Sequence, residues 1–81
     1  MDDQVFRISD IYVPVKRRQT LDPANVDIIA ESILEEGQRT PVMCRRDGER
    51  LVLVEGLHRL EACRWLGEET IIGILVQARR K

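Results

Sequence analysis

The segment Glu55-Gly56-Leu57-His58-Arg59 combines residue types that can bind a phosphate group. A glycine lets a ligand approach the backbone closely, and a guanidinium can donate two parallel hydrogen bonds to phosphate oxygens. His58, the single histidine of the chain, can donate another hydrogen bond to the same anion. A purely structural explanation is also open, in which Gly56 forms a tight turn, His58 caps its own or a neighbouring helix, and Arg59 is solvated.

The elements on either side of this segment favour an anion site. Residues 51–54 form a continuous apolar run, which predicts a strand buried on both faces. After Gly56 the apolar residues recur at helical spacing, and they are Leu60, Ala62, Cys63 and Leu66. Unpaired N–H groups at a helix start attract a negative charge, and the helix dipole adds to the attraction. The sequence therefore predicts a phosphate site of a kind other than a Walker loop, because no G-x-x-x-x-G-K-[ST] occurs.

A first helix is predicted from Asp22, a good N-cap residue, and Pro23, which suits the first helical position. Gly37 is expected to end this helix. Ile28 and Ser32 should share the opposite face from the apolar stripe and point outward or towards a partner. The apolar stripe consists of Val26, Ile29, Ala30, Ile33 and Leu34.

The remaining elements complete the order β-α-β-β-α-β. The apolar pattern predicts a first strand at residues 5–8 and a last strand at residues 71–76. Residues 9–20 are expected to form an irregular segment with a basic loop. Residues 41–45 predict a strand that enters a hairpin at Asp47-Gly48. We expect an α+β fold with a small mixed sheet and two main helices, in one domain that spans residues 1–81 with its core at about 5–77.

Composition argues against several classes of protein. Thirteen basic and fourteen acidic residues give a net charge of −1, without the positive excess of proteins that bind nucleic acid by charge alone. Cys44 and Cys63 are expected to be reduced and buried, and no cysteine or carboxylate cluster predicts a metal site. The acidic N-terminus is unlike a signal peptide and no segment is long enough to cross a membrane, which predicts a cytoplasmic protein.

Three segments, in this order along the chain, resemble the ParB N-terminal and sulfiredoxin superfamily. The resemblance extends from about Ile8 to Val76. The segments are residues 21–26 with 30–37, residues 41–44 with 53–56, and residues 56–62. The last segment is similar to the G-x-[HR]-R-x-x-A box with which both branches hold nucleotide phosphates. The resemblance implies the compact ParB/sulfiredoxin-like fold.

The resemblance also implies a ligand and a set of site residues. The ligand would be ATP or CTP, and the resemblance leaves open whether Mg²⁺ is bound with it. Polar residues of the first helix near the phosphates correspond by position to Asn25, Ile28 and Ser32, and Ile28 departs from the pattern. The implied phosphate-binding residues are Gly56, Leu57, His58, Arg59, Ser32 and Arg17 or Arg18.

The two branches of the superfamily imply different activities. In sulfiredoxins a catalytic Cys directly precedes the His-Arg pair, but Leu57 occupies that position here and cannot be a nucleophile. Sulfiredoxin reductase activity is therefore not expected. In ParB proteins the box belongs to a CTP switch that clamps on DNA, and a helix-turn-helix region follows. The sequence ends at Lys81, so this chain alone is not expected to read a DNA sequence.

Three functions remain open at this point. The first is a bacterial nucleotide-binding module in plasmid or chromosome partition or in transcription, acting as a homodimer or with a partner protein. The second is an NTPase or phosphotransferase, for which Glu55 and Glu61 are the nearby carboxylates. The third is an interaction domain that has kept the fold and lost its ligand.

Overall fold

A computed structural model describes residues 2–77, which form a five-stranded mixed sheet and three α-helices. The predicted α+β class and the order of the main elements are confirmed. In chain order the elements are β1 (Gln4–Arg7), a 3-10 helix (Ile8–Asp10), β2 (Ile11–Tyr12), α1 (Val15–Arg18), α2 (Pro23–Glu36), β3 (Val42–Asp47), β4 (Arg50–Glu55), α3 (Leu57–Trp65) and β5 (Thr70–Val76).

The sheet mixes parallel and antiparallel neighbours in the order β1-β5-β3-β4-β2. The pairs β1–β5 and β3–β4 are antiparallel, whereas β5–β3 and β4–β2 are parallel. The predicted hairpin is confirmed, since Asp47 pairs with Arg50 across a two-residue loop that begins at Gly48. The last strand of the chain, β5, therefore lies inside the sheet beside β3.

The segment at residues 9–20 is more regular than the sequence predicted. Ile11 and Tyr12 pair in parallel with β4, which makes β2 an edge strand. The basic residues belong to the one-turn helix α1, because the amides of Arg17 and Arg18 both donate to the carbonyl oxygen of Pro14. The prediction of an irregular basic loop is wrong here, since a two-residue strand and a one-turn helix are too short to show periodicity.

Helices α2 and α3 lie on one face of the sheet, with α3 against the strands and α2 against α3. Leu53, Leu60, Val42 and Cys44 are fully buried at this contact. Both cysteines are buried and free, as predicted. Among residues 2–77 no group of three or more His, Cys, Asp or Glu side chains could hold a metal. None of the described helices has the length and apolar character needed to cross a membrane.

Helix α2 starts as predicted but buries a narrower stripe. The Asp22 carboxylate accepts a hydrogen bond of 3.1 Å from the amide of Ala24, which confirms the N-cap. Ile28 is 66% exposed, as expected for the outer face. Leu34 is 71% exposed, so its assignment to the apolar stripe is wrong. The reason is that α2 rests on another helix, whose contact covers fewer positions than a sheet would.

The segment after α2 is fastened to the sheet by one side chain. The Gln38 side-chain oxygen accepts a hydrogen bond of 2.9 Å from the amide of Ile72. The Gln38 side-chain nitrogen donates to the carbonyl oxygen of Ile72 at 2.8 Å. Gln38 thus bonds to β5 as a strand residue would, just before β3 begins to pair with it.

Candidate functional site

The predicted phosphate site lies at the first turn of α3. Gly56 is the N-cap residue, and no side chain caps the helix there. The first intrahelical bond runs from the amide of Leu60 to the carbonyl oxygen of Gly56, at 2.8 Å. The amides of Leu57, His58 and Arg59 precede that bond and have no partner within the helix. The sequence therefore places a run of helix-start donors where the phosphate site was predicted.

Gly56 is required by packing as well as by backbone conformation. Its φ of +107° lies in the region that favours glycine. A Cβ atom added at Gly56 would lie 2.7 Å from Cγ1 of Val42, which is fully buried in β3. Close approach between β3 and the start of α3 therefore explains this glycine without a ligand.

His58 connects the start of α3 to the start of α2. Its Nε2 atom accepts a hydrogen bond of 2.9 Å from the amide of Asp22. A ring nitrogen that accepts a hydrogen bond carries no proton, so Nδ1 is the ring nitrogen that can donate. The contact with a neighbouring helix, left open from the sequence, is thus present, and Nδ1 remains as the one ring donor.

Arg59 is half-buried and has no carboxylate partner within residues 2–77. Its positive charge acts on the pKa of the Cys63 thiol, which lies one helical turn later. Burial raises the pKa of the Cys63 thiol, the Glu68 carboxylate raises it further, and the Arg59 guanidinium lowers it. The structure therefore leaves the guanidinium of Arg59 available to an external anion.

A cavity of about 350 Å³ lies beside the first turn of α3. Arg18 reaches this cavity, so one of the two predicted arginines does lie next to Leu57. The acidic Glu61 also lines it, and its carboxylate pairs with Arg64 at 3.5 Å. The residues that line the cavity are Val13, Arg18, Leu21, Leu57, Glu61 and Arg64.

Arg17 and Ser32 are placed away from this cavity. Arg17 lines a different groove, with Arg45 and Val54. Ser32 is exposed on α2, about 15 Å along the helix from Asp22 at 1.5 Å per residue. No hydrogen bond among the described residues joins Ser32 to the start of α3. Of the predicted set, Leu57 and Arg18 line this cavity together, whereas Gly56, His58 and Arg59 share the first turn of α3 but do not line it.

Arg64 is the cavity residue that the sequence did not single out. The i, i+3 spacing of Glu61 and Arg64 indicates no more than a pair of opposite charges on the helix surface, and the structure contains this pair. Leu57, Glu61 and Arg64 are spaced at i, i+4 and i+7, which places them on one helical face. That spacing was the available signal that Arg64 shares a face with Leu57.

The comparison with protein families now decides the family. The model of the ParB N-terminal domain matches residues 4–81. The chain belongs to the ParB N-terminal domain family. None of the curated protein sequences compared with this ParB N-terminal domain matches it.

Solved structures share the fold of this ParB N-terminal domain at low sequence identity. Sulfiredoxin from Arabidopsis thaliana is 23% identical with a TM-score of 0.86, over 96% of this chain and 88% of that one. The chromosome-partitioning protein ParB from Caulobacter crescentus, complexed with CTP-γ-S, is 19% identical with a TM-score of 0.82, over 98% and 46% of the two chains. A free serine kinase variant in complex with ADP is 15% identical with a TM-score of 0.81, over 94% and 31%.

These similarities confirm the ParB/sulfiredoxin-like fold. The domain matches most of sulfiredoxin but spans less than half the length of the ParB protein and about a third of the kinase. Position 57 holds a buried leucine, 7% exposed, at the point where the sequence resemblance placed the sulfiredoxin cysteine.

Proposed function

We propose that this domain binds a nucleoside triphosphate, ATP or CTP, with the phosphates against the first turn of α3. The observation that carries the proposal is an uncapped helix start followed by His58 and Arg59 in a ParB N-terminal domain. The donor amides and the positive end of the helix dipole both favour phosphate oxygens at this position.

Nucleotides bound by proteins of the same fold support the ligand class. The ParB protein from Caulobacter crescentus was solved with CTP-γ-S, and free serine kinase variants were solved with ADP and with AMP. The ligands differ in base and in phosphate number, so they support nucleotide binding in general. A titration with different nucleotides, with and without Mg²⁺, would determine which base the domain prefers and whether it needs the metal.

Each predicted residue has a distinct role in the proposal. Arg59 donates two hydrogen bonds to phosphate oxygens, and His58 donates one from Nδ1. Gly56 keeps the turn in its required conformation. Arg18, which lines the cavity beside Leu57, approaches the phosphates from that side. Ser32 remains a proposed rim residue, and it would need to approach further on binding. Of the two predicted arginines, Arg18 takes the rim position in the proposal, because Arg17 lines a different groove.

The biological role that we propose is regulatory. The domain would act as a cytoplasmic nucleotide-binding module in a bacterial partition or transcription system, as a homodimer or with a partner protein. Any reading of a DNA sequence would be done by a region outside these 81 residues.

Binding is tested by calorimetric titration with ATP, CTP and GTP, with and without Mg²⁺. Arg59→Ala should weaken binding about 10- to 100-fold, because hydrogen bonds to a charged group contribute about 1.5–3 kcal/mol. Arg39→Ala is the control, since Arg39 is an exposed arginine paired only with Glu36. The proposal is wrong if Arg59→Ala binds as tightly as the parent while circular dichroism shows both folded. Absence of binding to all three nucleotides would favour an interaction domain without a ligand.

A second function, nucleotide hydrolysis or phosphotransfer, is favoured by the position of Glu61. Its side chain lines the cavity beside Leu57, whereas Glu55 does not. A carboxylate at this cavity could act as a general base on water or on an acceptor hydroxyl. Phosphate release that disappears in Glu61→Gln and persists in Glu55→Gln would support hydrolysis. If both variants still release phosphate, Glu61 is excluded as the general base.

A further inference from the structure

The face of the sheet that points away from α2 and α3 carries an apolar strip across β1, β5 and β3. Side chains alternate between the two faces of a strand, so neighbours of the buried Val42, Cys44 and Ile71 point outward. The register then places Val5 beside Ile72 and Met43 beside Ile74. We define the outer face as Val5, Met43, Ile72, Ile74 and Val76.

Such an outer face is unusual for a sheet with helices on one side only. The solvated face of a two-layer sheet normally carries polar residues at every second position. Here the outward positions of β5 are Thr70 at its start and then Ile72, Ile74 and Val76 in succession. Val5 is 70% exposed and Met43 is 39% exposed. The outer face thus sets two exposed apolar side chains beside three part-buried ones. A contiguous apolar patch that solvent reaches is typical of a surface that another molecule covers.

A groove at one border of the outer face shows what chemistry the partner should have. It measures about 450 Å³, and Val52, Val54 and Val76 contribute apolar lining. Two arginines, Arg17 and Arg45, line the same groove. Neither arginine pairs with a carboxylate among residues 2–77. The groove thus offers aliphatic surface next to two uncompensated positive charges.

We propose that the outer face docks an amphipathic helix of another protein, with carboxylates placed to pair with Arg17 and Arg45. The apolar side of the helix would cover Ile72, Ile74 and Met43, as helices cover the faces of sheets within domains. The basic groove selects an acidic helix by charge complementarity. In a symmetric contact between two copies the same basic border would recur on both sides, which argues against self-association through this face.

The test uses two short synthetic helical peptides that carry the same leucine stripe. One has Glu and the other Lys at every polar position. Binding to ¹⁵N-labelled protein is followed by amide chemical shifts. The acidic peptide should shift resonances of β3 and β5 at the outer face, and the basic peptide should bind at least about tenfold more weakly.

Variants of adjacent arginines give the matched control. Arg45→Glu should weaken the acidic peptide about tenfold, because a favourable charge contact becomes a repulsive one. Arg46→Glu makes the same charge change one residue later. The side chain of Arg46 faces the opposite side of the sheet, so this variant should leave the affinity for the acidic peptide unchanged. Ile74→Ser should also weaken binding, whereas Leu34→Ser on the exposed side of α2 should not.

Three results would overturn the proposal. The first is equal affinity for the acidic and basic peptides, and the second is an absence of shifts at the outer face. The third is concentration-dependent dimerisation of the protein with shifts at the same residues, since the occupant would then be a second copy. The titration needs no nucleotide, and Arg59→Ala should bind the peptide like the parent. Failure here is therefore separate from failure of the nucleotide proposal.

Discussion

Gly56→Ala should destabilise the fold far more than an equivalent change at Gly67. Both glycines have positive φ, +107° at Gly56 and +79° at Gly67. An added Cβ at Gly67 meets no atom within 4 Å, whereas one at Gly56 would meet three atoms of Val42 at 2.7–3.2 Å. Gly67→Ala thus introduces the backbone cost alone, and Gly56→Ala introduces the same kind of cost together with an overlap.

The expected magnitudes follow from these two contributions. A left-handed conformation costs a residue with a Cβ about 1–2 kcal/mol. Part of this cost is offset, because alanine restricts the unfolded chain more than glycine, so Gly67→Ala should lose about 1 kcal/mol. Overpacking in a close-packed interior adds about 1–3 kcal/mol, so Gly56→Ala should lose about 2–4 kcal/mol. A domain of this length has a free energy of unfolding of about 4–12 kcal/mol, so the loss is large.

Urea unfolding of the parent and the two variants measures the difference directly. A Val42→Ala variant makes the test sharper, because it removes the Cγ1 atom that Gly56→Ala would overlap. In the double variant, Gly56→Ala should cost about 1 kcal/mol less than in the parent background. The rescue is partial, since Cβ and Cα of Val42 would still lie within 3.2 Å of the new atom.

Two outcomes would refute this account of Gly56. The first is equal destabilisation by Gly56→Ala and Gly67→Ala, which would show that the contact with Val42 is relieved at no cost. The second is a wild-type stability of Gly56→Ala accompanied by loss of nucleotide affinity. That pattern would mean that the glycine is needed for the ligand and not for packing.

Three further perturbations test other parts of the structure. Asp22→Ala removes the N-cap of α2 and should lower the urea-unfolding free energy by about 1 kcal/mol; no change would contradict the cap. Gln38→Ala leaves both backbone groups of Ile72 without their side-chain partner, so stability should fall by about 1–3 kcal/mol and hydrogen exchange at Ile72 should accelerate. Burial raises the pKa of the Cys44 thiol from 9.0 to about 11. The stabilisation of the fold that comes from keeping this thiol neutral is therefore complete below pH 9 and is lost as the pH rises towards 11. The stability of the parent relative to Cys44→Ala should accordingly fall by up to about 2 kcal/mol between about pH 8 and pH 11, and a constant difference would refute the burial effect.

The features that the sequence predicted well depend on residues close together in the chain. The N-cap at Asp22 and the hairpin at Asp47 and Gly48 are local, because each bond spans only two or three residues. The start of α3 after Gly56 is of the same kind. Local propensity and hydrogen bonding therefore sufficed for the boundaries of most elements.

The features that the sequence missed or left open depend on contacts between distant segments. The amide of Asp22 and the ring of His58 are 36 residues apart, and no periodicity connects them. Arg17 and Arg18 are adjacent in sequence, yet they line different cavities, because successive residues of a helix point in different directions. The start of α3, where the site is proposed, could thus be predicted from the sequence, but the residues that border it could not.

Helix α2 is joined to the rest of the fold near each end by the hydrogen bonds of one side chain. His58 holds the amide of Asp22 at the beginning, and Gln38, just past the end, holds both backbone groups of Ile72. One hydrogen bond secures the first attachment and two secure the second. One substitution, His58→Ala, would therefore remove the side-chain hydrogen bond at the start of α2, while both bonds past its end would stay in place.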